Sequence, residues 1–367
     1  MSELQNLLDK YCPNGCEYKK IDDLCKINPK SPIGAKKAKE LPAGQYPFFT
    51  SGSNIYYVDE YSIDGENIFI NDGGVAGFNY YYGKANYADH VISIKPINIS
   101  AKYMYYYLDS KTQYINSNMF RGTGLKNICR SIFFSFEIPV PPLPVQEEIV
   151  RILDKFTELE TELETELDMR KKQYEYYRNK LLSLEDYNGE VEEITLGDIY
   201  KFRYGKGNNI PTDGGEYPVY GGNGICGWHN EWNSEDAPVI GHIGAYAGLV
   251  KWAKGKHFVT YNGVICTHIN DKVDKRFAFY LLLIQDFLSE QKGSQPFVSY
   301  DALKKPVVKY PVDVNEQKRI VSLLDSFDKF IDDISEGLPA EIKLRHQQYE
   351  YYRDKLLAFK RLERETV

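Results

Sequence analysis

Five consecutive residues, Phe120-Arg121-Gly122-Thr123-Gly124, match the F-x-G-x-G pattern that binds S-adenosylmethionine in methyltransferases. A glycine loop of this kind holds a cofactor when it follows a strand and opens a helix. Here the motif follows a helix predicted at residues 102–114. Its counterpart in a second copy of the region, after a helix predicted near residues 275–290, reads Gly293-Ser294-Gln295, without phenylalanine. We therefore predict that this chain binds no cofactor itself.

Other catalytic signatures are missing from the sequence. It contains no Asn-Pro-Pro-Tyr/Phe tetrapeptide of DNA methylases and no G-x-x-x-x-G-K-[ST] phosphate loop. The six histidines show no ligand spacing, and the Cys12–Cys16 pair has no partner pair at zinc-site spacing. We expect reduced cysteines, no metal and no catalysis by this chain.

The most distinctive feature is an internal repeat. Residues 173–182 read Gln-Tyr-Glu-Tyr-Tyr-Arg-Asn-Lys-Leu-Leu, and residues 348–357 repeat them with aspartate in place of the asparagine. Upstream, Gln146, Ile149 and Asp154 return 171 positions later as Gln317, Ile320 and Asp325, and Gly73 aligns with Gly244 at the same offset. A period this long indicates a duplicated domain and not a solenoid.

Each copy combines a β-rich segment with a long helix. Short aromatic and β-branched runs separated by glycine turns predict strands, for example at residues 46–50, 55–58 and 78–82. The predicted fold is α+β, with two similar β-rich domains that carry small helices, separated by two long helices and related by internal pseudo-two-fold symmetry. We predict domains at residues 1–144 and 187–315, with a central helical spacer at 145–186 and a distal helical spacer and tail at 316–367.

Heptad spacing on both long helices predicts that they pair as an antiparallel coiled coil. The residues expected to form the pairing stripe are Ile149, Phe156, Leu163, Tyr174, Tyr177, Leu181, Ile320, Phe327, Ile334, Tyr349, Tyr352 and Leu356. Because proline inside a helix costs about 3 kcal/mol, Gly337 and Pro339 predict a kink or break in the second helix.

Charge and hydropathy limit the classes of partner. The net charge is −7, and the acidic excess lies mainly on the long helices, which leaves the β-rich segments near neutral. Tight nonspecific DNA binding by this chain alone is therefore not expected. No apolar run reaches the ~18 residues of a membrane span, and the N-terminus lacks a signal-peptide pattern. We expect a cytoplasmic protein without membrane contact.

Two motifs resemble the specificity subunit of type I restriction–modification systems. They are Pro-Pro-Leu-Pro-Val-Gln-Glu at residues 141–147, which opens the first long helix, and the repeated Gln-Tyr-x-Tyr-Tyr-Arg-x-Lys-Leu-Leu. The second helix departs from the pattern, since residues 310–315 replace the second proline motif. The resemblance implies two target-recognition domains, each of which reads one half of an asymmetric bipartite site in double-stranded DNA, with the helices setting the spacer.

The same resemblance implies further partners. Methylation subunits that carry S-adenosylmethionine would dock on the helices, and a restriction subunit that uses ATP and Mg²⁺ would join them.

Two other functions stay open. One is a non-catalytic coiled-coil interaction scaffold with two ligand-binding lobes, and the other is a complete enzyme such as a methyltransferase, which the missing motifs disfavour.

Polar residues beside glycine loops are our candidates for DNA contact, because glycine permits close backbone approach and base edges require polar or small apolar tips. In the first domain they are Ser51, Ser53, Asn54, Asn71, Lys84, Asn86, Arg121, Thr123 and Lys126. In the second domain they are Tyr220, Asn223, His242, Tyr246, Lys251, Lys256, Ser294, Gln295 and Tyr300.

Overall fold

The computed structural model describes residues 2–41, 43–52, 54–287 and 296–362. The chain separates into two compact units. Unit 1 comprises Met1–Glu164 together with Pro339–Val367, and unit 2 comprises Thr165–Leu338. Each unit therefore contains one globular lobe and one part of each of the two long helices.

The lobe of unit 1 has six helices and eleven strands among its described residues, and a long helix follows it. The helices are α1 (Ser2–Tyr11), α2 (Ile21–Leu24), α3 (Ala35–Glu40), α4 (Ala101–Ser110), α5 (Thr112–Met119), α6 (Arg130–Phe134) and the long α7 (Leu143–Ser183). The strands are β1 (Glu17–Lys20), β2 (Cys25–Ile27), β3 (Tyr46–Phe49), β4 (Ile55–Val58), β5 (Glu66–Asn71), β6 (Phe78–Tyr82), β7 (Asn86–Tyr87), β8 (Val91–Pro96), β9 (Phe120–Arg121), β10 (Asn127–Ile128) and β11 (Glu137–Val140).

Strand β5 separates two hydrophobic cores in this lobe. It lies inside an antiparallel sheet of order β2-β8-β5-β6, and alternate residues of a strand point to opposite faces. Ile68 and Ile70 face the core formed with α4 and the long helices, whereas Phe69 faces the core of the three-stranded sheet β4-β3-β7. There Phe69 stacks on Phe49 with ring centroids 4.2 Å apart. The apolar run in β5 is thus buried on both faces.

The lobe of unit 2 uses the same arrangement with a larger sheet. Its helices are α8 (Leu196–Ile199), α9 (Lys275–Leu283) and α10 (Tyr300–Lys304), and the long α11 (Val314–Leu356) follows. Its strands are β12 (Val191–Thr195), β13 (Tyr200–Tyr204), β14 (Tyr217–Gly221), β15 (Gly224–His229), β16 (Ser234–Gly241), β17 (Val250–Val259), β18 (Gly263–His268) and β19 (Val307–Pro311). Six of them form a sheet of order β13-β18-β16-β17-β14-β15. Ile240 and Val239 of β16 face opposite cores, as Ile70 and Phe69 do in β5.

Several predicted elements differ in extent from the structure. The helix expected from residue 102 to 114 is divided into α4 and α5, because Lys111 between them has a non-helical backbone (φ −103°, ψ 9°). The helix expected near residues 275–290 ends at Leu283, and its last three predicted residues lie outside the described part. The first long helix begins two residues earlier than expected, at Leu143.

Within each unit the two long-helix segments run antiparallel and contact each other through repeated aromatic residues. In unit 1 the ring of Phe156 stacks on Tyr352, with centroids 5.6 Å apart, and lies 6.5 Å from Tyr349. In unit 2 the matching contact joins Tyr177 and Phe327, with centroids 6.4 Å apart. Three other predicted stripe residues, Ile149, Ile320 and Leu356, are buried in the lobe cores.

The remaining stripe residues have varied surroundings. Leu163, Leu181 and Tyr174 are partly buried, and the Tyr174 hydroxyl donates a hydrogen bond to Asp328. The side chain of Ile334 lies outside the described residues.

The predicted break at Pro339 is wrong. Helix α11 continues as a single helix from Val314 to Leu356 with Pro339 inside it. Proline removes one N–H donor, but the helix on each side is held by its own buried residues: Ile320 and Leu324 in unit 2, and Tyr349 and Leu356 in unit 1. Tertiary packing therefore outweighs the local penalty, and a bend at this point stays a prediction.

Candidate nucleic-acid interface

Each lobe carries a glycine loop with the same backbone hydrogen bonds. We define it as residues 72–77 in unit 1, directly after β5, and residues 242–248 in unit 2, directly after β16. The Asp72 N–H donates to His90 O (3.0 Å), and Asp72 O accepts from the Ile128 N–H (2.9 Å). In unit 2 the His242 N–H donates to Asn262 O and His242 O accepts from the Val298 N–H, both at 2.8 Å.

The next residues of the loop are also equivalent. The Gly74 N–H donates to Lys126 O, and the Gly244 N–H donates to Pro296 O, both at 2.8 Å. Both glycines have positive φ, +83° and +87°, a conformation that side-chain-bearing residues rarely adopt. A Cβ at either position would meet nothing within 4 Å, so the backbone there faces open space. The hydrogen bonds thus align Gly74, and not Gly73 as the sequence suggested, with Gly244.

In unit 1 the glycine loop lies against the β9–β10 hairpin. Gly73 pairs with Asn127, and Arg121 pairs with the same residue across the hairpin. This brings the predicted residues Arg121, Thr123 and Lys126 to one surface, and all three are exposed. A fourth predicted residue near this loop, Asn71, sits at its base, where the side-chain amide donates to Val75 O (3.2 Å). Its amide therefore supports the loop.

Sequence reasoning missed three residues of this surface. Val75 and Leu125 expose 67% and 75% of their area, so each presents an apolar tip beside the glycines. Arg130 is bound to Asp72 through a 2.8 Å ion pair. The signal for Val75 was its position directly after Gly73-Gly74, whereas nothing local in the sequence pairs Arg130 with Asp72.

In unit 2 the corresponding surface is aromatic. The ring of Tyr204 lies 4.1 Å from that of His242 and 4.3 Å from that of Tyr300, and Tyr261 lies 5.2 Å from His242. His242 is buried beneath this cluster, and its Nδ1 is 3.2 Å from Tyr261 O. The predicted residue Tyr300 is 36% exposed, whereas His242 is a support for its neighbours and not a direct reader.

The β14–β15 turn joins the same surface of unit 2. A Cβ at Gly222 would lie 3.8 Å from Tyr246 Cβ and 3.5 Å from Asn262 O, so the turn and the glycine loop are in contact. The predicted residues Asn223 and Lys251 are exposed here, and Lys251 Nζ donates to Asn223 O (2.8 Å). Tyr246 exposes half of its area. Turn, loop and aromatic cluster therefore form one face.

Four predicted residues lie away from the glycine loops. Ser51 and Asn54 are exposed at the β3–β4 turn. Lys84 stands over the Tyr61 ring (4.6 Å), whose negative charge when ionised raises the pKa of Lys84. Lys256 stands over the Trp232 ring (4.8 Å). Three further predicted residues, Ser53, Ser294 and Gln295, lie outside the described residues.

Two predicted residues, Asn86 and Tyr220, are buried, so the structure does not present their side chains at the surface. The Asn86 side chain is an internal connector, since its Oδ1 accepts from Ser62 Oγ (3.0 Å) and its Nδ2 donates to Glu60 O (3.2 Å). Tyr220 belongs to the second core of unit 2 and meets His257 edge-on. Both sit on short strands whose neighbouring residues are buried as well, which glycine proximity in the sequence did not reveal.

The described side chains supply binding groups more readily than reactive ones. No group of three or more histidine, cysteine or acidic residues that could hold a metal occurs within the described ranges. Burial lowers the pKa of His257 and His268, which disfavours their charged forms. What the glycine loops present is exposed backbone, amides, hydroxyls, cations and apolar tips. This is the set of groups that contacts phosphates and base edges.

Comparison with known proteins identifies the family. The family described as "Type I restriction modification DNA specificity domain" matches residues 13–169 and again residues 188–344. The chain belongs to this family. The two matches correspond to the two copies of the repeat, and family membership gives the chain the non-catalytic DNA-specificity role that its sequence predicts. No helix of the described residues is long and apolar enough to cross a membrane.

Curated relatives and a solved structure agree with this family. A putative type I restriction enzyme specificity subunit of Haemophilus influenzae is 30% identical, over 94% of this chain and 95% of the relative. The EcoR124I/EcoR124II specificity subunit of Escherichia coli is 34% identical over 70% of each chain. The S subunit from M. genitalium matches in fold with a TM-score of 0.56 and 21% identity, over 93% of this chain and 94% of that one.

Proposed function

We propose that each unit reads one half of a bipartite DNA site through its glycine loop. The observation that carries this proposal is that three backbone hydrogen bonds match between the two loops, which display different side chains. Two loops with a shared backbone arrangement and different exposed side chains suit two different half-sites. The recognised site is then asymmetric.

The tips suggest how each half-site is read. In unit 1, Arg121 suits the paired acceptors of guanine, and Val75 and Leu125 suit the methyl group of thymine. In unit 2, Tyr246 and Tyr300 offer aromatic faces and hydroxyls, and Lys251 suits a phosphate. Lys126 has the same phosphate-binding chemistry in unit 1. Phosphate contacts position the protein, whereas base contacts specify the sequence.

We further propose that the long helices set the spacer and dock methylation subunits. Exposed aromatic residues support this: Tyr176 and Tyr351, equivalent in the repeat, each expose 62% of their area, and Phe330 exposes 54%. Such residues are enriched at the centres of protein interfaces. S-adenosylmethionine would be carried by those subunits, and ATP and Mg²⁺ by a restriction subunit, all in the cytoplasm. Replacement of both Tyr176 and Tyr351 by alanine is expected to weaken methylation-subunit binding in calorimetry while both lobes stay folded.

The decisive test is selection of duplexes from a random library by the complex with methylation subunits. We expect a motif with two constant parts separated by a fixed gap. Lys126→Ala should weaken binding to all sequences and reduce the salt slope by about one unit, whereas Arg121→Ala should relax one base position at a cost of ~1–3 kcal/mol. Lys36→Ala, an exposed lysine on α3, is the control. A sequence-independent pool, or no retained DNA, would favour a protein-binding scaffold instead.

A further inference from the structure

A buried glutamine fixes the start of each long helix to its lobe. In unit 1, Gln146 is 2% exposed, its Oε1 accepts from the Ser100 N–H (2.8 Å), and its Nε2 donates to Pro141 O (2.7 Å). In unit 2, Gln317 is 0% exposed, and its Oε1 accepts from the Asp274 N–H (2.6 Å). Ser100 and Asp274 are the N-cap residues of α4 and α9, so both glutamines bind the same point of their lobe.

An aspartate eight residues later provides a second attachment. In unit 1, Asp154 accepts from Lys102 Nζ and from the Tyr106 hydroxyl, both at 2.6 Å. In unit 2, Asp325 accepts from Arg276 Nε (2.9 Å) and from the Tyr280 hydroxyl (2.6 Å). The basic residue and the tyrosine come from the first and second turns of α4 and α9. Eight helical residues span about 12 Å, which separates the two attachments along the axis.

In unit 2 the second attachment extends to the other long helix. The Tyr280 oxygen also lies 2.6 Å from Asp328 Oδ2, so its single proton is shared between two carboxylates. Asp328 in turn accepts from the Tyr174 hydroxyl on α7. In unit 1 a different pair connects the lobe helix to the other long helix: Arg353 Nη1 of α11 lies 3.2 Å from Asp109 Oδ2 at the end of α4. In both units the lobe helix is thus tied to both long-helix segments.

Directional bonds at two separated points restrict both sliding and rotation of a helix against its lobe. Apolar packing alone tolerates small shifts, while hydrogen bonds weaken steeply with angle. The two glutamines are also buried, and a buried polar group costs solvation energy, so their presence favours a role in geometry over a role in stability. The two copies differ in the residues that would read DNA, yet both retain this glutamine and aspartate at the same offset.

We propose that Gln146 with Asp154, and Gln317 with Asp325, are positioning residues that fix the angle of each lobe on its helix. By doing so they determine the gap between the two half-sites. They contact no base, so they act on the spacer and not on the sequence that is read. This inference rests on the proposed function, because only a bipartite reader has a gap to determine.

The test is the library selection with the complete complex, in which gap length is scored separately from half-site sequence. Tyr106→Phe and Tyr280→Phe each remove one hydroxyl at almost unchanged shape, and Glu158→Gln on the exposed side of α7 is the control. We expect unchanged half-sites, a broader distribution of gap lengths, and weaker binding at the original gap, because each variant holds its lobe less rigidly on the long helix. Lys102→Arg, which preserves the cation at Asp154, should retain the wild-type gap.

The outcomes separate the two proposals. If the wild-type complex selects no two-part motif, the proposed function and this inference both fail. If the wild type selects such a motif and both tyrosine variants, folded by thermal melting, keep its gap and affinity, only the positioning role is overturned. Altered half-site sequences in those variants would also overturn it. Should the tyrosine variants melt at room temperature, Lys102→Gln, at a side chain that is 38% exposed, provides the same readouts.

Discussion

Phe156 stacks on Tyr352 across the two long helices of unit 1, with ring centroids 5.6 Å apart. The contact is repeated in unit 2 between Phe327 and Tyr177 at 6.4 Å. Each pair joins a residue from the start of one long helix to a residue from the end of the other. The repeated tyrosine motif and the repeated phenylalanine, far apart in each copy of the sequence, thus meet as partners within each unit.

Phe156→Ala should destabilise unit 1. The ring is partly buried, so the expected loss is ~2 kcal/mol, below the 3–5 kcal/mol typical of a fully buried phenylalanine. Thermal and urea unfolding of the full chain measure it. Phe330→Ala is the matched control, since that ring is 54% exposed and its loss should change stability by less than about 0.5 kcal/mol. Equal losses of unfolding free energy in the two variants would show that the Phe156–Tyr352 contact adds no more stability than an exposed ring does.

The sequence predicted the helices well because their signal is local and repeated. Heptad spacing and the duplicated tyrosine motif placed both bounds of α7, and the start of α11, within a few residues of where the structure has them. Pro339 misled the prediction because the penalty of a proline is local, whereas the packing of Ile320 and Tyr349 that holds the helix is not.

The candidate interface was predictable only in part. Glycine turns located the loops, so Arg121, Lys126 and Tyr246 were predicted at positions that the structure exposes. Asn86 and Tyr220 are buried, and the sequence did not predict this because the pairing register of a short strand is not visible in it. The Arg130–Asp72 ion pair joins residues 58 positions apart, and a sequence pattern contains no record of such a contact.

Stability should depend on the ionisation of Glu148. Its side chain is 7% exposed, and hydrogen bonds from Arg151 Nε and Nη2, each 2.6 Å long, lower the pKa of Glu148 below its ordinary value of 4.5. Because the folded-state pKa is the lower one, the contribution is complete above about pH 4.5 and is lost as the pH falls through the folded value. The difference in melting temperature between wild type and Glu148→Gln should therefore decrease below pH 4.5. A difference that stays constant down to pH 3.5 contradicts this. The control is Glu166→Gln, which removes an exposed ion pair with Arg170 on the same helix.

The cysteines should differ strongly in reactivity. A hydrogen bond with Ser131 lowers the pKa of Cys129, whereas burial raises the pKa of Cys16 and Cys25 to about 12. Since the thiolate is the nucleophile, iodoacetamide at pH 7.5 should label Cys129 at least tenfold faster than either buried thiol. Peptide mass spectrometry over time measures the rates. Urea-unfolded protein, in which the rates should converge, is the control, and equal labelling in the folded state would refute the assignment.

Gly74→Ala and Gly244→Ala should impair DNA recognition through the backbone alone. Both glycines have φ above +80°, where a side chain costs about 1–2 kcal/mol, yet a Cβ at either position meets no atom within 4 Å. The strain should therefore distort the glycine loop without a clash in the core. Gly214→Ala is the matched control, because Gly214 has a φ of +80° and open space around its Cβ but lies outside both glycine loops.

In library selection, Gly74→Ala should weaken the preference for one half-site and leave the other intact, with Gly244→Ala showing the reverse pattern. Asparagine at the same positions should restore part of the preference, because it adopts positive φ more readily than alanine. The pattern follows from the position of the two glycine loops, one in each compact unit of the chain. If either alanine variant relaxed both half-sites equally, the two loops would not be independent readers.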